Sequence, residues 1–428
     1  MAEEVKSPLI LITQAELDAI ARKHMMYRTG RVGGARANLS RHDLSHLNLH
    51  NYDFSHADLT GVSLNGVDAH GMILDSTILF GADLRFCNLR GAKLVRADLR
   101  GVSLRGASLI GADMAGVDLR EGVLAASDPV GNLGPLHSDW SVADSGGADL
   151  SGANLNEARM SGAVAIGTNF SDAAMRGCKI VRANLEGSNF SGANLEGADL
   201  SMCELKKVNM RGALLINAAL NISSIEKENL VGVLTDQPVG PTVRDLPDTL
   251  EELMRVHAVW VNSDGKSGFQ LDISGYDLRG SRFFMGARLS LVKANDTILF
   301  GLNMSDAQLQ AASLHNADMR YVSAPRADMR GADLSGARLT NADMRDVRLD
   351  PLISQRGKTL ISDLSYSSLR YANFSGASLR QAKLTGADLS YANLLGADLT
   401  GADLTGCKLE GARVNESQQA LIDKAKRA

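Results

Sequence analysis

The chain has 428 residues, 44% of them hydrophobic, and a formal net charge of −4. A balance so close to neutral excludes the chain-wide field that drives non-specific nucleic-acid binding, so any electrostatic recognition must be local. Its 4 cysteines are too few for a disulfide-stapled scaffold of this length.

In chain order, the first apolar run, Pro8 to Ile12, is too short and too poorly flanked for a signal peptide or a membrane span, which makes a cytoplasmic protein the expectation. Residues 1–36 read as a helical head. Leu17, Ile20 and His24 lie one helical turn apart, and Thr13 with Glu16 forms a capping box. Gly33-Gly34 then leads into a different pattern. From Leu39 to Leu124 every fifth residue is Leu, Phe or Met, with Ala69 the sole exception. A period of five fits neither a helix nor an ordinary strand, and self-similarity over about 300 residues is the signature of a solenoid.

The first repeat module spans 37–220, with an interruption at 125–147 that contains Asp128-Pro129, Gly134-Pro135 and Trp140. Residues 221–246 lose the period, carry Pro238, Gly240 and Pro241, and read as a linker. A second head occupies 247–270. Leu250, Leu253 and His257 repeat the spacing of the first, so the two heads share the string Leu, acid, any, Ile or Leu, any, Arg, any, His, and an aromatic residue follows three positions later. The second module, 271–415, has early centres at Ile273, Leu278 and Phe283 and an interruption at 350–361 with Asp350-Pro351 and Arg356-Gly357-Lys358. Residues 416–428 are expected to form a helix over the last coil, because repeat arrays need covered ends.

Within each unit a bulky centre alternates with Ala, Cys, Ser, Thr or Val two residues earlier, which suits a narrow, close-packed interior. Cys87, Cys178, Cys203 and Cys407 all occupy the small position and are expected to be core residues, neither metal ligands nor disulfides. Asp or Asn before the centre and Ser, Thr or Gly after it favour a turn in every unit. Units such as Ala97-Asp98-Leu99-Arg100-Gly101 and Ala397-Asp398-Leu399-Thr400-Gly401 resemble the pentapeptide-repeat family. The resemblance implies an all-β solenoid, a right-handed quadrilateral β-helix with four units to a coil. At a coil spacing of roughly 4.8 Å the modules would be rods of about 40 and 33 Å.

Recognition of other molecules must then be sought on the rod's surface and at its breaks. No catalytic residues are expected: there is no P-loop, no His-Glu-x-x-His and no Cys-x-x-Cys, and the recurring Asp-Leu-Ser-Gly strings are the repeat itself. If residues 20 apart stack, Arg85 lies with Arg105 and Arg100 with Arg120, beside Arg90 and Arg96, a candidate basic ladder that interleaved aspartates would neutralise. His50 and His70 also stack, but solvated or locally hydrogen-bonded rings are the expectation, with no metal and no cofactor. Loops leaving a rigid scaffold concentrate binding residues, so Trp140 with Leu133, Leu136 and His137, and Arg356 with Lys358, are the candidate protein-contact residues; Trp140 plugging the broken coil is an equal reading.

Three functions follow. The first is a non-catalytic scaffold for a protein partner of unknown identity. The second is suggested by the resemblance, whose quinolone-resistance members mimic B-form DNA and bind DNA gyrase; direct nucleic-acid binding is not expected. The third is a self-assembling element. Homodimerisation through an incompletely covered C-terminal coil is a further implication of the resemblance.

Overall fold

The computed structural model describes residues 9–121, 125–127, 133–135, 144–353 and 357–425. The chain divides into two compact units, residues 1–237 and 238–428. Each is built from coils of twenty residues. Asn38 bridges Asp58 in parallel, Asp58 bridges Ile78 and Ile78 bridges Asp98, and in the second unit Gln308 bridges Asp328. The hydrogen bonds explain why four five-residue units make one turn. The Leu59 N–H donates to Ile78 O of the next coil (2.8 Å), the Asp58 N–H donates back to Ala37 O of the previous one (3.0 Å), and the Val62 N–H closes the corner onto Leu59 O (3.1 Å). Each interior coil therefore satisfies its own backbone through its two neighbours.

The centres and the small residues before them fill the interior. Leu59, Leu64, Ala57 and Ala82 are fully buried. Several polar small residues donate to a carbonyl of the coil below. Thr77 Oγ1 reaches Phe54 O (2.8 Å), Thr297 Oγ1 reaches Ile273 O (2.8 Å), and the thiols of Cys178, Cys203 and Cys407 reach Leu155 O, Ile180 O and Leu384 O at 2.8, 2.8 and 2.9 Å. A buried hydroxyl or thiol is tolerated there because a carbonyl lone pair meets it.

In the first unit, β1 (Ile10–Leu11) pairs in parallel with β2 (His42–Asp43), and α1 spans Gln14–Arg28 between them. Thr13 and Glu16 cap α1 reciprocally. The helix also finishes the first coil: Gln14 accepts from the Asn48 N–H (2.9 Å) and donates to Asn48 O (3.2 Å), so one side-chain amide stands in for a missing strand. In the second unit, α2 (Leu250–Asn262) buries Leu250, Leu253, Met254 and His257. Both helices must turn back sharply into the repeats. A Cβ on Gly34 would lie 2.2 Å from Tyr27 N, and one on Gly268 would lie 2.4 Å from Val256 O. Only glycine permits that approach.

Three details differ from the sequence reading. The stretch expected as a linker is divided between the units: 3-10 turns at Ile222–Ser224 and Lys227–Leu230 and a bridge from Leu234 to Leu214 belong to the first, while Thr242 bridges Asp277 in the second. Of the adjacent pair Phe283 and Phe284, it is Phe284, 1% exposed, that points inward, and Phe283 points outward at 49%. One extra residue causes the slip, because Asp277 bridges Ile298 whereas Arg288 bridges Gln308. Finally, Ser145 is buried as the coil resumes after the first interruption, a polar centre that a search for hydrophobic periods passes over.

The interruptions are insertions within coils. Ser103 bridges Asp144 where the twenty-residue rule gives position 123, and Asp333 bridges Asp363 where it gives position 353. The inserted chain pairs with itself: β3 (Ala125–Ser127) is antiparallel to β4 (Leu133–Pro135), and β5 (Leu352–Ile353) to β6 (Thr359–Leu360). At the C-terminus α3, Glu416–Ala425, lies over the last coil. There Gln418 donates to Leu394 O (2.5 Å) and Ala397 O (2.7 Å), and Ile422 is buried. No described helix is long and apolar enough to cross a membrane.

Candidate interaction surfaces

The outward face is governed by the turn itself. The aspartate before a centre accepts the N–H of the residue after it, and an arginine there folds back onto the same carboxylate. Asp98 receives Arg100 N (3.2 Å), Nε (2.8 Å) and Nη2 (2.7 Å). Asp83 with Arg85, Asp118 with Arg120, Asp277 with Arg279, Asp318 with Arg320, Asp328 with Arg330 and Asp343 with Arg345 repeat the clamp. In the Asp318–Arg320 clamp both side chains are buried. A bidentate guanidinium fixes the geometry as well as the charge.

Of the predicted basic ladder, Arg85, Arg100 and Arg120 thus carry their own counter-charges. Arg105 follows Ser103, has no aspartate in its own turn, and reaches Asp144 of the next coil at 3.2 Å. Arg90 donates its backbone N–H to Asn88 Oδ1 (3.3 Å). Arg96 sits at a left-handed corner, φ 56°, with its stem over Gly116. Arg100 also lies over the Phe80 ring at 5.2 Å. The surface these residues make is a mosaic of paired charges.

At the second interruption, Leu352 and Leu360 seat the hairpin base on Gly331, where a Cβ would lie 3.1 and 2.9 Å from theirs, while Ile353 stands 73% exposed. Lys358 lies in the same hairpin; Arg356 lies outside the described residues. In the first interruption Leu133 opens β4, and Leu136, His137 and Trp140 lie outside the described residues.

Two further places bear on chemistry. A cleft of about 620 Å³ opens between α1 and the first coils, lined by Asp18, Arg22, Met25 and Arg28 on one side and His50, Tyr52 and Asp53 on the other. Its polar groups already engage one another. Arg28 pairs with Asp53, and Tyr52 donates to Asp18. The cysteines are chemically quiet: burial pushes the Cys87 and Cys178 thiols up to about 12 and Cys407 up to about 11. A thiol held so far above neutrality is no nucleophile.

The shared string of the two heads also has a structural purpose that sequence reasoning did not assign. His24 Nδ1 accepts the Ala37 N–H (3.1 Å) and its Nε2 donates to Ser55 O (3.0 Å). His257 Nδ1 accepts the Leu271 N–H (3.0 Å) and its Nε2 donates to Ser290 O (3.0 Å). Each ring is fully buried and stacks on the aromatic residue three positions on, Tyr27 at 6.1 Å and Trp260 at 5.7 Å. The amide donor at Nδ1 fixes the neutral Nε2–H tautomer. Each histidine therefore staples its helix to two successive coils.

The family model described as pentapeptide repeats matches residues 35–79, 82–120, 146–180, 179–217, 312–350, 362–390 and 382–417, more than half of the chain. This chain belongs to the pentapeptide-repeat family, a β-helix repeat fold. No curated protein matches it. Among solved structures, QnrB1, a plasmid-mediated fluoroquinolone resistance protein, is 22% identical over 46% of this chain and 83% of that one, with a TM-score of 0.22. Rfr23 from the cyanobacterium Cyanothece 51142 is 27% identical over 31% of this chain and 86% of that one, TM-score 0.19. HetL from Nostoc sp. strain PCC 7120, involved in heterocyst differentiation regulation, is 25% identical over 85% of this chain and 90% of that one, TM-score 0.12.

Proposed function

We propose that the protein is a non-catalytic, cytoplasmic scaffold that engages a protein partner through the segments that interrupt its coils. The carrying observation is that the second interruption forms a hairpin outside the coil register whose strand residue Ile353 is exposed, while the Asp–Arg clamps of the regular coils hold mutually paired charges. Exposed apolar side chains on a rigid support suit protein contact better than do neutralised ion pairs, which contribute little. The right-handed sense of the coil and the plan of two modules, each with a helical head, are part of this reading.

The same charge pairing weighs against DNA mimicry. A mimic needs an extended bare acidic face, and the most acidic stretch here is partnered: Asp388 by Arg370 and Lys408, and Asp398 by Arg380. A DNA gyrase supercoiling assay at stoichiometric protein is expected to show no effect. End-to-end assembly, whether as a filament or as the C-terminal homodimer, is disfavoured by Gln418 of α3, which occupies the carbonyls of the last coil.

The test follows from the register. Removing residues 351–360 returns Asp363 to its twenty-residue position, so the coil is kept and the hairpin is lost. Affinity capture from the native host with the full chain and the deleted chain is expected to lose a partner in the second case, with the melting transition preserved. An unchanged partner set from both this chain and one shortened through the first interruption would remove the proposal.

A further inference from the structure

One cluster remains that neither the coil nor the proposed contacts employ. His50 and His70 follow their centres one coil apart, and their rings lie 4.3 Å apart at 44°. Asp68, which precedes the same centre that His70 follows, lies between them: its Oδ1 is 3.1 Å from His70 Nδ1 and its Oδ2 is 3.8 Å from His50 Nε2. One donor atom from each residue falls within 4.8 Å of the others. We propose that His50, Asp68 and His70 form a surface binding site for a single divalent transition-metal ion of the zinc type.

The spacing suits the ion. Bonds of about 2.0–2.1 Å in a tetrahedral shell put donor atoms about 3.3 Å apart; a different Asp68 oxygen faces each ring, Oδ1 at 3.1 Å from His70 Nδ1 and Oδ2 at 3.8 Å from His50 Nε2. The donor set suits it too, since imidazoles with one carboxylate select first-row metals over magnesium or calcium. Three protein donors leave a fourth position for water, and all three side chains are between a third and about half exposed, which gives the ion access.

One observation indicates that this is more than a chance meeting of exposed groups. The separation of 3.8 Å between His50 Nε2 and Asp68 is too long for a hydrogen bond, and His50 Nδ1 is buried without a partner. Hydrogen bonding therefore does not account for the placement of this ring, whereas a common ion between Nε2 and the carboxylate would. The repeat's own amide ladder also holds Asp68: Asn88, one coil further on, donates to its Oδ1 at 2.8 Å, as Asn169 does to Asp149. Such outer contacts hold metal-binding carboxylates in place. The coil supplies the alignment without any special loop, because side chains twenty residues apart stack by construction.

The full-length chain, stripped with a chelator and titrated with ZnCl2 by calorimetry, is expected to take up one ion per chain at this site. His50→Ala and His70→Ala should each weaken uptake by at least about 100-fold, and Asn88→Ala, which removes only a hydrogen bond to the Asp68 carboxylate, by about 10-fold. His46→Ala, outside the cluster, should leave it unchanged. Substitution of Co2+ for Zn2+ adds a readout independent of stability: visible absorption of a tetrahedral nitrogen–oxygen site in the wild type, absent from Asp68→Asn. Thermal melts identify any variant that fails to fold, and Asn88→Ala then carries the comparison. Absence of uptake by the wild-type chain, or unchanged affinity in both histidine variants, would overturn the assignment.

Discussion

The two buried histidines show how much a single side chain contributes in a repeat fold. His24 and His257 each satisfy one amide and one carbonyl at the entry to the coils. Replacing either with alanine orphans both groups at a cost of about 1–3 kcal/mol each. Burial holds both imidazoles below their ordinary pKa of 6.5, outweighing their hydrogen bonds to backbone carbonyls. A base whose folded pKa is depressed takes up protons more readily when unfolded. Its stabilisation is therefore complete above about pH 6.5 and is lost as the pH falls below that value. The melting temperature should fall between pH 7 and pH 5, and the fall should be smaller in a His24→Ala, His257→Ala double variant, although that variant melts lower throughout. The clamped aspartates titrate in a separate window. Asp343 is held below 3.8 chiefly by the side-chain hydrogen bond of Arg345; at Asp328 burial pushes upward but is outweighed by the hydrogen bonds and charge of Arg330 together with the hydrogen bond of Gln310, so both contributions are lost only in stronger acid. An equal slope in the double variant would show that the staples are not the titrating groups. At the same scale, Gly34→Ala and Gly268→Ala place a methyl group against helix backbone that has no rotamer to change. Both should lower the melting temperature by several degrees, whereas Gly301→Ala, whose Cβ meets nothing within 4 Å, should cost only the left-handed corner penalty of about 1–2 kcal/mol.

Among the elements, the interruptions separate what the coil needs from what it tolerates. Asp363 resumes the register that Asp333 set, so β5 and β6 carry no coil hydrogen bond of their own. A chain lacking 351–360 should therefore melt within a few degrees of the full chain by circular dichroism. A collapse of the second unit would mean that the hairpin is a structural brace. The helices are different. Gln14 and Gln418 replace strand partners at coil ends, and Gln418→Ala leaves the Leu394 and Ala397 carbonyls bare. An exposed coil edge templates association, so this variant should grow in mass with concentration in light scattering while the parent does not.

For the whole molecule, each unit has its own core: Leu17 to Ile225 in the first and Leu250 to Ile422 in the second. Residues 9–237 and 238–428 are each expected to melt cooperatively when produced alone; a fragment without a transition would contradict that division. The inward and outward positions were legible from sequence because one bulky and one small residue recur in every five, and the coil of four units followed from the family resemblance. The clamps were half legible. The interleaved aspartates announced neutralised arginines, but not that the partner would be the residue two before, Asp98 for Arg100. Phe284 was lost to a one-residue slip and Ser145 to its polarity. Asp68 escaped notice beside His50 and His70 because aspartate before a centre occurs throughout the repeat and carries no signal of its own.

The central claim is that recognition resides where the period breaks. Hydrogen exchange of the full chain, free and bound to its captured partner, tests it most directly. Added protection should concentrate in the interruptions, 351–361 above all, with the amides of the coil faces unchanged. Protection spread along the coils, with none at the hairpins, would contradict it.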